Sequence, residues 1–273
     1  MQASDDLHRR LDPEEREFYS QTLTAFATAG IDVLVGGAYA FGRYTGIERY
    51  TKDLDVFVKE ADFHPTLRVL EEAGFSVEVP FPHWLGKAHC GDYFVDVIHS
   101  SGNGVARVDD EWFQRAPRDT VFDLDARLCP AEEMIWSKSF IQERERFDGA
   151  DVAHLLRARA GELDWPRLLR RFGPHWRVLL AHLVLFGFIY PAERVRVPGW
   201  VMRSLLRRLE ASLAATLPPG RVCRGTLLSR QQYLVDVEQW GYLDARALDD
   251  NPMSEDDIAA WTAAIAEDGT NQW

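Results

Sequence analysis

The sequence predicts an α/β (α+β) first part, a mixed sheet flanked by helices, followed by an all-helical second part. Three observations carry this. A short branched run, "IDVLV" (Ile31 to Val35), enters Gly36-Gly37 directly; "DLDVFV" (Asp53 to Val58) alternates apolar and polar residues strictly; and strand signals vanish after roughly residue 128. At 273 residues the chain exceeds the usual size of one domain and is too short for three, so the expected division is 1–128 and 129–273.

The elements follow in order. "DPEEREFYSQTLTAFATAG" opens like a helix: Asp12 caps, Pro13 suits the first helical position, Glu15 completes the capping pattern and Gly30 ends it. "IDVLV", the two glycines and "AYAFGRY" read as strand, turn and helix. In "DLDVFV", Leu54, Val56 and Val58 share one face while Asp53, Asp55 and Phe57 share the other, the period of a half-buried strand. "HPTLRVLEEAG" reads as a helix stopped by Gly74, "FSVEV" as a strand, and "HWLGKAHCGDYFVDVIHS" as two strands around a tight turn at Cys90-Gly91-Asp92. Beyond residue 128, five apolar-periodic segments separated by Pro, Gly or Asp predict helices, and "SEDDIAAWTAAIAEDG" is a last one capped by Ser254. The Trp and Phe stripe of "WRVLLAHLVLFGF" is expected to form the core of this half, and "QQYLVDVEQWGYLDAR" to be packed and ordered.

Composition narrows the function classes. With 46% hydrophobic and 12% aromatic residues the chain can bury a large core. The start "MQASDDLHRR" has no apolar stretch that would serve as a secretory signal, and the greasiest run, Val178 to Tyr190, is short for a bilayer and carries His182. Cys90, Cys129 and Cys223 lack paired spacing, which points to buried thiols and a cytoplasmic protein away from membranes. The histidines show no metal-ligand spacing. A net charge of -12 argues against a general polyanion binder, yet Arg157 to Arg230 holds fourteen Arg, no Lys and four acids, a local balance of +10. That region is either a set of solvated helix faces or a seat for an anionic partner.

The carboxylates need a separate explanation. Asp53 and Asp55 point the same way from one strand, with backbones about 7 Å apart, and like charges at that spacing repel unless a cation compensates. Mg²⁺ takes oxygen ligands and sits between carboxylates and phosphates. Asp96 is the one charge in the apolar strand "YFVDVI", where an unpaired carboxylate would be costly, so a partner or metal is expected. Gly36-Gly37, between a strand and a helix start, allow close backbone approach and offer N–H groups to a phosphate.

In that order, Gly36-Gly37, then Asp53 and Asp55, then Asp96, residues 31 to 100 resemble the polymerase-β-like nucleotidyltransferase superfamily. "MIWSKSFIQERERFDGADVAHLL" is similar to the segment that follows the catalytic domain in uncharacterised bacterial members, including toxin-type ones. The resemblance implies the superfamily's mixed sheet and transfer of a nucleoside monophosphate from an NTP co-substrate to an acceptor hydroxyl. It also implies two Mg²⁺ held by Asp53, Asp55 and Asp96, the last on the acceptor side, with Gly36 and Gly37 cradling the triphosphate. Arg49 and Thr51 are further candidate phosphate contacts and Arg43 a more remote one; Lys138 is another, with Asp148 and Asp151 as lesser candidates. Asp148 is equally placed to be a plain helix N-cap. Three acceptors stay open: an RNA 3′ end, a protein side chain, or a small molecule such as an aminoglycoside-like antibiotic. The rival reading is a non-catalytic nucleotide- or partner-binding module, one half of a regulatory pair with another protein.

Overall fold

The computed structural model describes residues 12–49, 51–216, 220–248 and 253–267; the opening residues read above for a targeting segment lie outside these. The chain divides into two compact units, one ending at Pro130 and the other beginning at Ala131.

The first unit is built on a five-stranded sheet of order β1-β2-β5-β4-β3: β1 (Leu34–Val35), β2 (Asp53–Phe57), β5 (Tyr93–Ile98), β4 (Leu85–Cys90) and β3 (Ser76–Phe81). β2 and β5 run parallel and every other pairing is antiparallel. A parallel pair cannot be closed by a tight turn, so the chain between them makes helix α3 (Glu60–Glu72) and the β3–β4 hairpin before returning. Helix α1 (Pro13–Ala29) packs on α3 and on β5. Asp12 Oδ1 accepts the Glu14 N–H at 2.9 Å, and Gly30 ends α1 in the left-handed conformation, φ 70°. Leu54, Val56, Val95 and Val97 are fully buried, while Asp53, Asp55 and Phe57 are half-buried on the opposite face of β2.

Several elements differ from the sequence reading. β1 keeps only Leu34 and Val35 of the five-residue run, because Ile31 to Val33 precede the ladder; Asp32 pairs there with Arg127. α3 starts at Glu60, ahead of the predicted His64, with Glu60 and Asp62 favourably placed in its first turn and Pro65 inside it. Helices α2 (Gly37–Thr45) and α4 (Asp110–Arg115) precede a hairpin that no turn motif announced, β6 (Arg118–Val121) and β7 (Leu124–Arg127). Its two loop residues, Phe122 and Asp123, both have positive φ. Such a turn favours Asn and Gly; here the Phe122 ring is buried and stacks on Tyr19 at 5.6 Å, which offsets the backbone strain. Cys90 is exposed, whereas Cys129 and Cys223 are buried as expected.

The second unit is mainly helical: α5 (Ala131–Ser139), α6 (Gly149–Arg159), α7 (Trp165–Phe172), α8 (Trp176–Ile189), α9 (Gly199–Ala214), α10 (Leu234–Glu238) and α11 (Glu255–Glu267). It also holds a two-residue parallel pair, β8 (Val222–Cys223) with β9 (Leu243–Asp244), and a single antiparallel bridge between Gln142 and Phe147. Ser254 caps α11, accepting the Asp257 N–H at 3.1 Å. A buried ion network ties α7 to α5: Arg167 pairs with Glu132 at 2.6 Å and Glu133 at 3.0 Å, and Arg171 with Glu133 at 3.1 Å. Burial pushes the Glu133 carboxyl up to about 7 against the pull of these two guanidinium groups. The greasy run lies in a longer helical stretch, Trp165–Ile189, whose 25 residues meet the length and composition of a membrane-crossing helix. Its first third carries Arg167, Arg170 and Arg171, and 44% of its most apolar window is buried within the protein. The stripe is therefore core on one side only: Leu179, Leu183 and Phe186 are buried, but Val184, Leu185, Phe188 and Ile189 are exposed. Tyr233 and Trp240 are exposed as well, so the segment around α10 is less packed than expected.

Candidate metal centre

Period-two geometry and parallel pairing together assemble the acidic cluster. Asp53 and Asp55 leave β2 on one face, and the β2–β5 register sets Asp55 directly beside Asp96. One carboxylate oxygen from each of Asp53, Asp55 and Asp96 lies within 4.8 Å of the other two, and all three residues are half-buried. An all-oxygen, three-carboxylate set open on one side fits Mg²⁺, a hard cation that retains several waters.

The glycine turn is shaped by this strand. The Gly36 N–H donates to the Asp55 carbonyl at 2.9 Å, fastening the end of β1 to β2. Gly37 has φ +52°, and a Cβ there would fall on the Asp55 carboxylate; a Cβ on Gly36 would fall on the Phe57 ring. Only glycine leaves room for the side chain that β2 presents. α2 starts at Gly37, and the Ala40 N–H closes its first turn on the Gly36 carbonyl at 3.0 Å. The amides of Gly37 and Ala38 therefore head a helix N-terminus beside Asp55. Gly36 contributes position there, since its own N–H is spent on Asp55.

Thr51, a candidate phosphate contact, donates its hydroxyl to Asp53 Oδ1 and orients that carboxylate. Arg49 lies over the Phe41 ring at 4.6 Å, and Arg43 is committed to Asp119 through Nε at 2.7 Å. Lys138, in the second unit, pairs with both Asp148 and Asp151 at 2.8 Å. Asp148 does not cap α6 with its side chain; it takes Lys138 and Arg146 instead. Burial alone would raise Asp148, but the Lys138 and Arg146 charges outweigh it and hold its carboxyl below the ordinary value. The histidines that are buried satisfy themselves on backbone: His99 on the Pro82 carbonyl and His182 on that of Ser139.

One residue of the centre escaped the sequence reading. Lys87 on β4 faces Asp96 across the ladder, with Nζ 2.6 Å from Oδ1, and lies over the Phe94 ring at 4.1 Å. It brings one positive charge to three carboxylates. Burial pushes the Asp96 carboxyl up; Lys87 pulls it back, and Asp53 adds to the rise. The hairpin could have revealed the pair: a two-residue Gly91-Asp92 turn sets Cys90 against Tyr93, and counting back along both strands sets Lys87 against Asp96.

No protein-family model matches the chain, and no curated protein does. Among solved structures the chain is similar to the antibiotic-resistance factor ANT(2'')-Ia, at 18% identity over 75% of this chain and 97% of that one, TM-score 0.41. It is similar to the lincosamide antibiotic adenylyltransferase LnuA, at 16% identity over 53% of this chain and 96% of that one, TM-score 0.38. A third likeness is to an antigenic nucleotidyltransferase-like protein from Paracoccidioides brasiliensis, at 15% identity over 68% of this chain and 95% of that one, TM-score 0.40.

Proposed function

We propose that the chain is a Mg²⁺-dependent nucleotidyltransferase that moves a nucleoside monophosphate from an NTP to an acceptor hydroxyl. The observation that supports it is the convergence of Asp53, Asp55 and Asp96 within 4.8 Å, beside a helix N-terminus whose glycine is required by one of those carboxylates. Bound there, Mg²⁺ would supply the positive charge that a triphosphate and an ionising acceptor oxygen need. Asp53 and Asp55 would hold the cations, Thr51 fixes the Asp53 carboxylate through its hydroxyl, and the amides of Gly37 and Ala38 would bind phosphate oxygens. The acceptor oxygen bonds to the α-phosphorus, the bond to the β-phosphate bridge breaks and pyrophosphate leaves; Asp96 stands to take the acceptor proton. Strand register sets Asp96 on the same side of the sheet as Asp55, and Lys87 Nζ holds its Oδ1 at 2.6 Å.

The Arg-rich stretch supports an RNA acceptor less than its composition suggests. Arg167 and Arg171 neutralise Glu132 and Glu133, Arg157 and Arg196 share Glu193, Arg159 takes Glu162 and Arg230 lies near Glu143.

The test is incubation with each α-labelled NTP, Mg²⁺ and a cell extract, comparing the native protein with Asp53→Asn/Asp55→Asn. Label should enter one fraction, RNA, protein or small molecule, with the native protein alone, which also identifies the acceptor. Equal labelling by both proteins, or none by the native one with any NTP, overturns the proposal.

A further inference from the structure

The second unit has a surface that its own packing leaves open. Between Val178 and Ile189, α8 has no acid, Lys or Arg. Its inner side buries Leu179, Leu183 and Phe186, yet its outer side is equally apolar: Val184, Leu185, Phe188 and Ile189 are all exposed, Phe188 to 82%. Their spacing puts them in one stripe along the helix. A helix apolar all round is expected to be covered all round, and a contiguous exposed stripe marks an interaction site.

The helix beside it supplies the charge. α9 packs on α8, buries only Val201 and Leu205, and turns outward both apolar side chains, Trp200, Leu206 and Leu213, and the arginines Arg203 and Arg207. Neither arginine, nor Arg194 ahead of the helix, has an ion-pair partner among the described residues. Glu210 is the one acid on that outer face, and nearby Glu193 is already shared by Arg157 and Arg196. The surface therefore asks for apolar cover edged with carboxylates.

We propose that the outer faces of α8 and α9 dock an acidic amphipathic helix of a partner protein. Arginines of this unit already seat one helix whose first turn is acidic. α11 opens with Glu255, Asp256 and Asp257, sets Trp261 against the Arg230 guanidinium at 4.5 Å, and Thr262 accepts from Arg246 Nη1 at 3.2 Å. The alternatives fit less well. A second copy would press Arg194, Arg203 and Arg207 against their own kind. The helical stretch that contains α8 is long enough for a bilayer, but 44% of its most apolar window is already buried within the protein and its first third carries Arg167, Arg170 and Arg171. The inference is independent of the proposed reaction.

Fluorescence anisotropy on the full chain tests it, with a designed helical peptide of about five turns carrying leucines on one face and glutamates beside them. A control peptide carries lysines in place of the glutamates. The acidic peptide should bind saturably and the lysine peptide should not. Phe188→Asp and Arg203→Glu/Arg207→Glu should each weaken binding by about tenfold or more, and added salt should weaken it further. All three side chains are exposed, so both variants should keep the native melting temperature; if Phe188→Asp lowers it, the arginine pair alone decides. Equal binding of both peptides, no saturable binding, or indifference to the substitutions overturns the proposal. So does uptake of the protein by phosphatidylserine vesicles in preference to the peptide, or a dimer in sedimentation that Phe188→Asp abolishes.

Discussion

At Gly37 a missing side chain and a present one are two halves of the same feature. The Asp55 carboxylate occupies the space a Cβ would fill, on a backbone already at φ +52°. Gly30 has φ +70° but nothing within 4 Å of its would-be Cβ, so it separates conformational strain from collision. Gly30→Ala should cost about 1 kcal/mol of unfolding free energy, and Gly37→Ala more than about 2 kcal/mol together with any Mg²⁺ response. Equal costs in urea unfolding would show that Asp55 does not constrain the turn. Asp148 makes a second prediction at this scale. Its carboxyl is held below the ordinary value in the folded chain, so its contribution is present above the ordinary aspartate range and lost as pH falls through the folded value. Lys138→Met should flatten that acid limb in unfolding measurements below about pH 4. An unchanged limb would mean that Lys138 does not stabilise Asp148.

Elements were legible where the pattern and the tertiary demand agreed. β2 alternates because one face is core and the other lines the acidic cluster, and the β4–β5 turn carries a glycine at positive φ, Gly91. The β6–β7 hairpin was not legible, since Phe122 and Asp123 adopt its turn only because the Phe122 ring is buried against Tyr19 and Tyr39. Lys87 was missed for a similar reason: it becomes part of the centre only through strand register, which no local motif states. In α8, periodicity identified the helix but not which of two apolar sides is buried. The α5–α7 contact makes the prediction here. Arg167→Met would take from Glu132 its guanidinium partner and leave Glu133 with Arg171, in a site where the Arg167 side chain is 3% exposed, and should cost about 3–5 kcal/mol in urea unfolding. A loss below about 1 kcal/mol would show that the network is not a stabilising tie.

On the scale of the whole molecule, the two units divide the charge. The acidic centre belongs to the first, and the Arg-rich stretch to the second, where much of it is neutralised internally and the remainder borders the open α8–α9 face. The three aspartates singled out in the sequence lie within 4.8 Å of one another in the first unit, and Lys138, Asp148 and Asp151 pair among themselves in the second. The account depends on three aspartates sharing cations. Mn²⁺ titration followed by electron paramagnetic resonance, with a non-hydrolysable ATP analogue present, measures this most directly. The native chain should hold about two ions, Asp96→Asn about one, and Asp53→Asn/Asp55→Asn none above the nucleotide alone. Equal Mn²⁺ binding by the native and Asp53→Asn/Asp55→Asn proteins would contradict it.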